Sequence, residues 1–247
     1  MIGAWLMWGI GVVALVVPST LGLTVTRMLA ALAFGAAVES WIAGAVPSAG
    51  VVFVASASIF GLLAGGAEYG HRCVQASAYG DEVRFLLRAP AAFLPPVAIA
   101  GLVWVGAVLA APLLLATGQW AVGAIAAVVA VALTWLLLPR FNALSRRWFV
   151  VVPAGVVVHD QIVLSETVMV ARANLAGVAL ALEGTQAADF TGPAGGHAIE
   201  VSVQSMITVL LAPTKDAPRG TALHVQSFII APSRPGAVLR ATRPSPS

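Results

Sequence analysis

The sequence predicts a membrane α-helical bundle of about five transmembrane helices, followed by a small, mostly-β domain closed by a C-terminal helix. Three observations carry this. The 247 residues are 60% hydrophobic and only 9% charged, where a soluble domain carries about 25% charged residues. Mean hydropathy is +0.95, and the apolar excess lies before residue 140, in runs long enough to cross a bilayer. After residue 147 the pattern changes to short β-branched runs punctuated by Gly and Pro.

The spans follow in order. Residues 2–20 are apolar and Trp-rich, and no basic stretch precedes them as a signal peptide requires, so they read as a first membrane helix. Arg27 opens the second span, 28–46, which ends at Pro47-Ser48-Ala49-Gly50. The third, 50–66, is rich in small residues that let helices approach closely, and is near the lower length limit for crossing. The fourth, 91–116, has Pro95-Pro96 in its first turns and Pro112 near its end. The fifth, 120–139, leads through a basic hinge, Arg140 to Trp148, into the β-rich part. Between the third and fourth spans, Asp81 to Arg88 reads as a short surface helix. Phe85, Leu86 and Leu87 would dip into the membrane, with the arginines at the headgroups.

The arginines define sidedness. With five spans, Arg27, then Arg72, Arg84 and Arg88, then Arg140, Arg146 and Arg147 share one side, and the opposite loops hold no Lys or Arg. The positive-inside rule puts that side in the cytoplasm and the N-terminus outside, as in a multi-pass inner-membrane protein. On this reading of the loops, four spans break the pattern.

In the C-terminal part, 148–153 and 156–159 form a hairpin across Ala154-Gly155. Strands at 167–171, 176–182, 198–203, 206–212 and 223–231 follow, with a tight turn at Val203-Gln204. Residues 233–242 read as a helix with Ser233 as cap and Pro235 in its first turn. The domain is drawn over 144–243, the bundle over 1–140, and 244–247 as a disordered tail.

About seven short strands closed by one helix resemble a pleckstrin-homology-like (PH-like) barrel. The stretches RRWFVVVPAGVVVHD and VQSFIIAPSRPGAVLRA resemble those of actinobacterial multi-pass membrane proteins with such a domain after their last membrane helix. The resemblance covers about 144–243 and implies a fold and a location. It implies no ligand: phosphoinositide-binding PH domains carry a basic cluster in the first hairpin, and here that loop is Pro153-Ala154-Gly155. Arg146 and Arg147 precede the first strand, where a membrane junction needs cations.

Candidate site residues are few. Glu39 lies in an apolar run, either as a proton or substrate site or as an interfacial carboxylate reaching water. Glu68, His71 and Arg72 cluster after the third span, with Glu68 and Arg72 at i and i+4. Arg84 and Arg88 lie on the 81–88 stretch. Arg234 stands at a helix start, where it either binds an anion or orders the corner. His159-Asp160 reads as a turn, with Asp160 bonding local amides. The loop GPAGG at 192–196 lacks the lysine of a phosphate loop. One cysteine excludes an internal disulfide, and Cys73 with His71 is too few ligands for a metal. No cofactor, metal or nucleic-acid partner is expected, since the net charge of +3 is small and spread out.

The expectation is a non-enzymatic inner-membrane protein whose cytoplasmic domain docks a partner or organises a membrane complex, with a homo-oligomer left open. The alternative is a small transporter or membrane enzyme centred on Glu39.

Overall fold

The computed structural model describes residues 2–214 and 217–243. The predicted disordered tail, 244–247, lies outside the described residues. The chain divides into two compact units. One is Met1–Cys73 with Pro95–Asn142, and the other is Val74–Leu94 with Ala143–Ser247.

The first unit is a bundle of α1 (Ile2–Val16), α2 (Thr20–Ile42), α3 (Pro47–Gly65), most of α4 (Ala67–Gln75), α5 (Leu94–Ala116) and most of α6 (Trp120–Ser145). Among the described residues, four helical segments are long and apolar enough to cross a membrane: Thr20–Ile42, Pro47–Gly65, Ala91–Ala116 and Trp120–Ser145. The predicted first span is shorter than expected. At 15 residues, α1 is about 22 Å long, less than the ~30 Å hydrocarbon core. It ends before Pro18, and Ser19 caps α2 by accepting a hydrogen bond from the Gly22 amide at 2.9 Å. Helix α2 therefore starts eight residues before Met28 and takes in Arg27.

Small residues fix the helix packing. A Cβ on Gly22 would lie 2.9 Å from the Ala14 carbonyl oxygen, and one on Gly11 would touch Leu29. Helix α1 thus runs antiparallel along α2. The Trp41 ring covers Gly50, and at the other end of the pair Arg27 Nε donates to the Ala64 carbonyl at 3.1 Å. This makes α2 and α3 antiparallel and places Arg27 level with the last turn of α3. Gly35 faces α5, where an added Cβ would come within 2.5 Å of Val105 and 3.2 Å of Leu109. Trp104 Nε1 donates to Thr134 Oγ1 across α5 and α6 at 2.8 Å. Helix α6 continues through Pro139 to Ser145, so the predicted hinge at 140–145 is helical. Arg140 donates back to the Leu136 carbonyl at 2.6 Å.

The second unit holds β1 (Val83–Leu86), β2 (Trp148–Val152), β3 (Gly155–His159), β4 (Val168–Ala171), β5 (Leu175–Leu180), β6 (Ala188–Asp189), β7 (Ile199–Leu211), β8 (Thr221–Ile230) and α7 (Pro235–Thr242). These form two four-stranded sheets, ordered β1-β2-β3-β4 and β5-β7-β8-β6. Both sheets fill one core, including Phe85, Phe149, Val158, Val201 and Phe228, with Val238 of α7. The sheets do not close into a barrel. Isolated bridges link them at two corners, Leu87 to Pro232 and Leu164 to Leu211.

Three predictions are corrected here. Asp81 to Arg88 is not a surface helix. Val83–Leu86 pairs antiparallel with β2, Phe85 opposite Phe149, and Phe85 and Leu87 are buried in the β core. The alternation Val83, Phe85, Leu87 has period two, and its partner strand is distant in sequence. The predicted strands 198–203 and 206–212 are one strand, β7, with an irregularity between Ser202 and Ile207. Asn174 holds that irregularity, accepting from the Ser205 amide at 2.7 Å and donating to the Ser205 carbonyl at 3.0 Å. Finally, α7 is capped by Arg234, with no side-chain cap bond. Ser233 instead donates its amide to the Leu86 carbonyl at 2.8 Å.

Candidate functional site

The best-built polar feature of the β domain is an ion pair inside its core. Arg147 and Asp160 side chains are 1% and 0% exposed. Arg147 Nε donates to Asp160 Oδ1 at 2.8 Å and Nη2 to Oδ2 at 2.6 Å, a bidentate fork. Arg147 Nη1 donates to the Arg88 carbonyl at 2.5 Å, and Nη2 reaches the Thr191 carbonyl at 3.5 Å. Asp160 Oδ1 also accepts from the Ile162 and Val163 amides at 3.1 and 3.3 Å. The expected turn at Asp160 is therefore present, with the buried pair added. The expectation that Arg147 serves a membrane junction is overturned: a buried guanidinium needs its charge and donors matched inside, and Asp160 with two carbonyls does this. Arg146, by contrast, is exposed.

This network ties the two stretches of the domain together. The Arg88 carbonyl belongs to the 74–94 stretch, and Asp160 and Thr191 belong to the tail. Arg88 continues the link through its amide, which bonds the Ala231 carbonyl at 2.8 Å. Its guanidinium donates to the His197 carbonyl and lies so close to Gly196 that a Cβ there would meet Nη1 at 2.5 Å. Burial holds the Arg88 guanidinium below its ordinary pKa. The GPAGG loop thus folds over Arg88, and Gly196 takes a left-handed φ of +88°.

On the other face of the first sheet, Arg84 forms a salt bridge to Glu82 at 2.6 Å and lies 5.5 Å from the centre of the Trp148 ring. Trp148 stacks on His159 with ring centres 4.7 Å apart. His159 meets Thr167 Oγ1 at 3.0 Å. Burial, and then repulsion from Arg146, hold the imidazole below its ordinary pKa against an opposing pull from Asp160, with a lesser push from Arg84. Gln75 secures this edge, accepting from the Arg84 amide at 2.8 Å and donating to the Glu82 carbonyl at 3.0 Å.

Helix α4 runs unbroken through Gly70. The Glu68–Arg72 pair forms at 3.6 Å, on an exposed face, 58% and 74% open. His71 is half-buried. Arg234 is half-buried at the start of α7, where its carbonyl accepts from the Ala237 and Val238 amides. Among the described residues, no group of three His, Cys, Asp or Glu lies close enough together to hold a metal.

In the bundle, Glu39 lines an open groove of about 350 Å³ between α2 and α5, with Gly35, Val38, Ile42, Gly106, Leu109 and Leu113. The candidates therefore separate. Arg84, Arg88 and Arg147 are brought into one domain, and Glu39 stands alone. Sequence reasoning missed the partnership of Asp160 with Arg147, and that of Tyr69 with Thr26, whose hydroxyls meet at 2.9 Å. A polar residue bounding two apolar strands was the available signal for Asp160. Nothing local signalled Tyr69.

No family model matches the chain, and no curated protein and no solved structure matches it.

Proposed function

We propose that this is a non-enzymatic integral membrane protein whose β domain docks a partner protein or organises a membrane complex. The observation that carries this is the pairing of β1, from the stretch between α4 and α5, with β2, which follows α6. A folded domain built from both stretches requires them to share one side of the membrane. That side carries Arg72, Arg84, Arg88, Arg140, Arg146 and Arg147, while residues 43–46 and 117–119 carry no Lys or Arg. The positive-inside rule makes it cytoplasmic. This holds whether or not α1 crosses: with α2 starting at Thr20, a four-span arrangement keeps the arginines together, contrary to the expectation that it scatters them. An α1 that crosses alongside α2 restores five spans and an outside N-terminus.

The first sheet supports a docking role. Antiparallel sheets commonly solvate one face, and the outer face of this one, polar where Arg84 and His159 stand, also carries uncovered apolar residues. Away from the core, Val152 and Val157 are half-buried and Met169 is 54% exposed. Two sheets closed by a C-terminal helix also support the PH-like reading. The transporter or enzyme alternative requires Glu39 inside the bundle, and Glu39 lines an open groove instead.

The test is purification of the intact protein from its native membrane in mild detergent, with mass spectrometry of what accompanies it. A stoichiometric protein, lost when Val157 and Met169 are both changed to Arg, is the expected result. Absence of any such protein, or its retention in the double variant, overturns the docking reading.

A further inference from the structure

We propose that the groove between α2 and α5 binds one aminophospholipid, its primary ammonium on the Glu39 carboxylate and an acyl chain along Gly35 and Gly106. Glu39 lies one turn before the end of α2, and Leu113 one turn before the end of α5. These helices run in the same direction, so the groove opens at one end of the bundle and continues towards its middle. Its walls are aliphatic apart from the carboxylate. Gly106 leaves space in it, since a Cβ built there meets nothing within 4 Å. Gly35 lets α2 and α5 approach closely at its base.

The charge distribution selects the occupant. The connecting residues at this end, 43–46 and 117–119, are all uncharged, and the Glu39 carboxylate has no hydrogen-bond or ion-pair partner among the described residues. A carboxylate at bilayer depth is costly unless paired with a cation or hydrated. The matching ligand has a cationic, hydrogen-donating head and an apolar tail. A bilayer phospholipid with a primary amine has both, with three N–H donors for a charge-assisted bond. A choline headgroup has the same charge and tails but no N–H, so it serves as the control.

The full-length protein in nanodiscs of equal phosphatidylethanolamine and phosphatidylcholine tests this by native mass spectrometry of the lipids it retains. Wild type is expected to retain phosphatidylethanolamine about tenfold over phosphatidylcholine, the effect of one hydrogen bond to a charged group. Glu39→Gln is expected to return the ratio to that of the bilayer. Gly106→Leu, which fills the groove, is expected to lose the retained lipid altogether. Wild type retaining both lipids equally overturns the proposal without any variant. So does an unchanged ratio in Glu39→Gln, or a second protein copy in place of lipid.

Discussion

In the bundle, Trp135, Ile42 and Leu62 point outward at 86%, 81% and 77% exposure, while Thr24 and Thr26 are buried. In the β domain, Phe149, Ile199 and Phe228 are completely buried. The two regions obey one rule in different solvents. Lipid is as apolar as leucine, so hydrophobicity gives a membrane helix no inward direction, and small residues and hydrogen bonds decide which face meets a neighbour. Water gives the β domain a strong inward direction, and period-two alternation shows which face turns in. Charge then separates them further. The domain buries a complete ion pair, whereas the bundle sets Arg27 about two turns into α2, with its Nε on a carbonyl in the last turn of α3.

The largest expected effect is on that ion pair. Asp160→Ala strands a buried guanidinium and should cost about 3–5 kcal/mol. Hydrogen exchange of the 143–243 amides in nanodiscs would read this as a domain that opens globally. Combining Arg147→Met with Asp160→Leu should restore most of the protection, because an apolar pair leaves no unmatched charge. A double variant as open as Asp160→Ala would mean that the pair holds the fold by geometry rather than by neutralising charge.

Nearly as large is Phe85→Ala, expected to lower domain stability by about 3–4 kcal/mol, measured in the same way. Phe85 lies on a stretch between two long apolar helices yet belongs to the core of the β domain. An unchanged domain would return residues 81–88 to the membrane surface. Smaller again is Trp104→Phe, which removes the bond to Thr134 inside the bundle. Double-mutant cycles across membrane helices average about 0.6 kcal/mol, and a steric-trap unfolding measurement should find a loss of that order.

The smallest effect is one of pH. The folded-state pKa of His159 lies below the unfolded value of about 6.5. Between the two, the unfolded chain binds more protons, so stability rises with pH there. The contribution is complete above about 6.5 and is lost as pH falls towards the folded value. Replacing His159 with Gln should flatten the stability profile of the domain in that window, and a profile that keeps its slope would assign it to another group.

The same contrast explains how much was legible in the sequence. Membrane runs announce themselves by length, and Trp148 to His159 announces a hairpin by composition. Helix ends were less legible: Arg27 read as the opening of the second span because a charge in an apolar run suggests a boundary, but α2 starts at Thr20 and carries it against the end of α3. The strand β1 was hidden because a four-residue strand gains its meaning from a partner beyond two membrane helices. Arg147 was misjudged because Arg-Arg-Trp after a membrane helix has the same composition whether it anchors or is buried. Glu39 was found as a lone polar residue, but only packing revealed the groove beside it.

The β1–β2 pairing also has a consequence for biogenesis. Phe85 leaves the ribosome well before Phe149, and both α5 and α6 are made in between. At ordinary translation speeds the wait is some seconds. Until β2 and the strands after it have been made, Phe85 and Leu87 have no core to enter. The domain therefore completes its fold only after α5 and α6 have been made, and a chain that stalls before β2 leaves β1 without its partner.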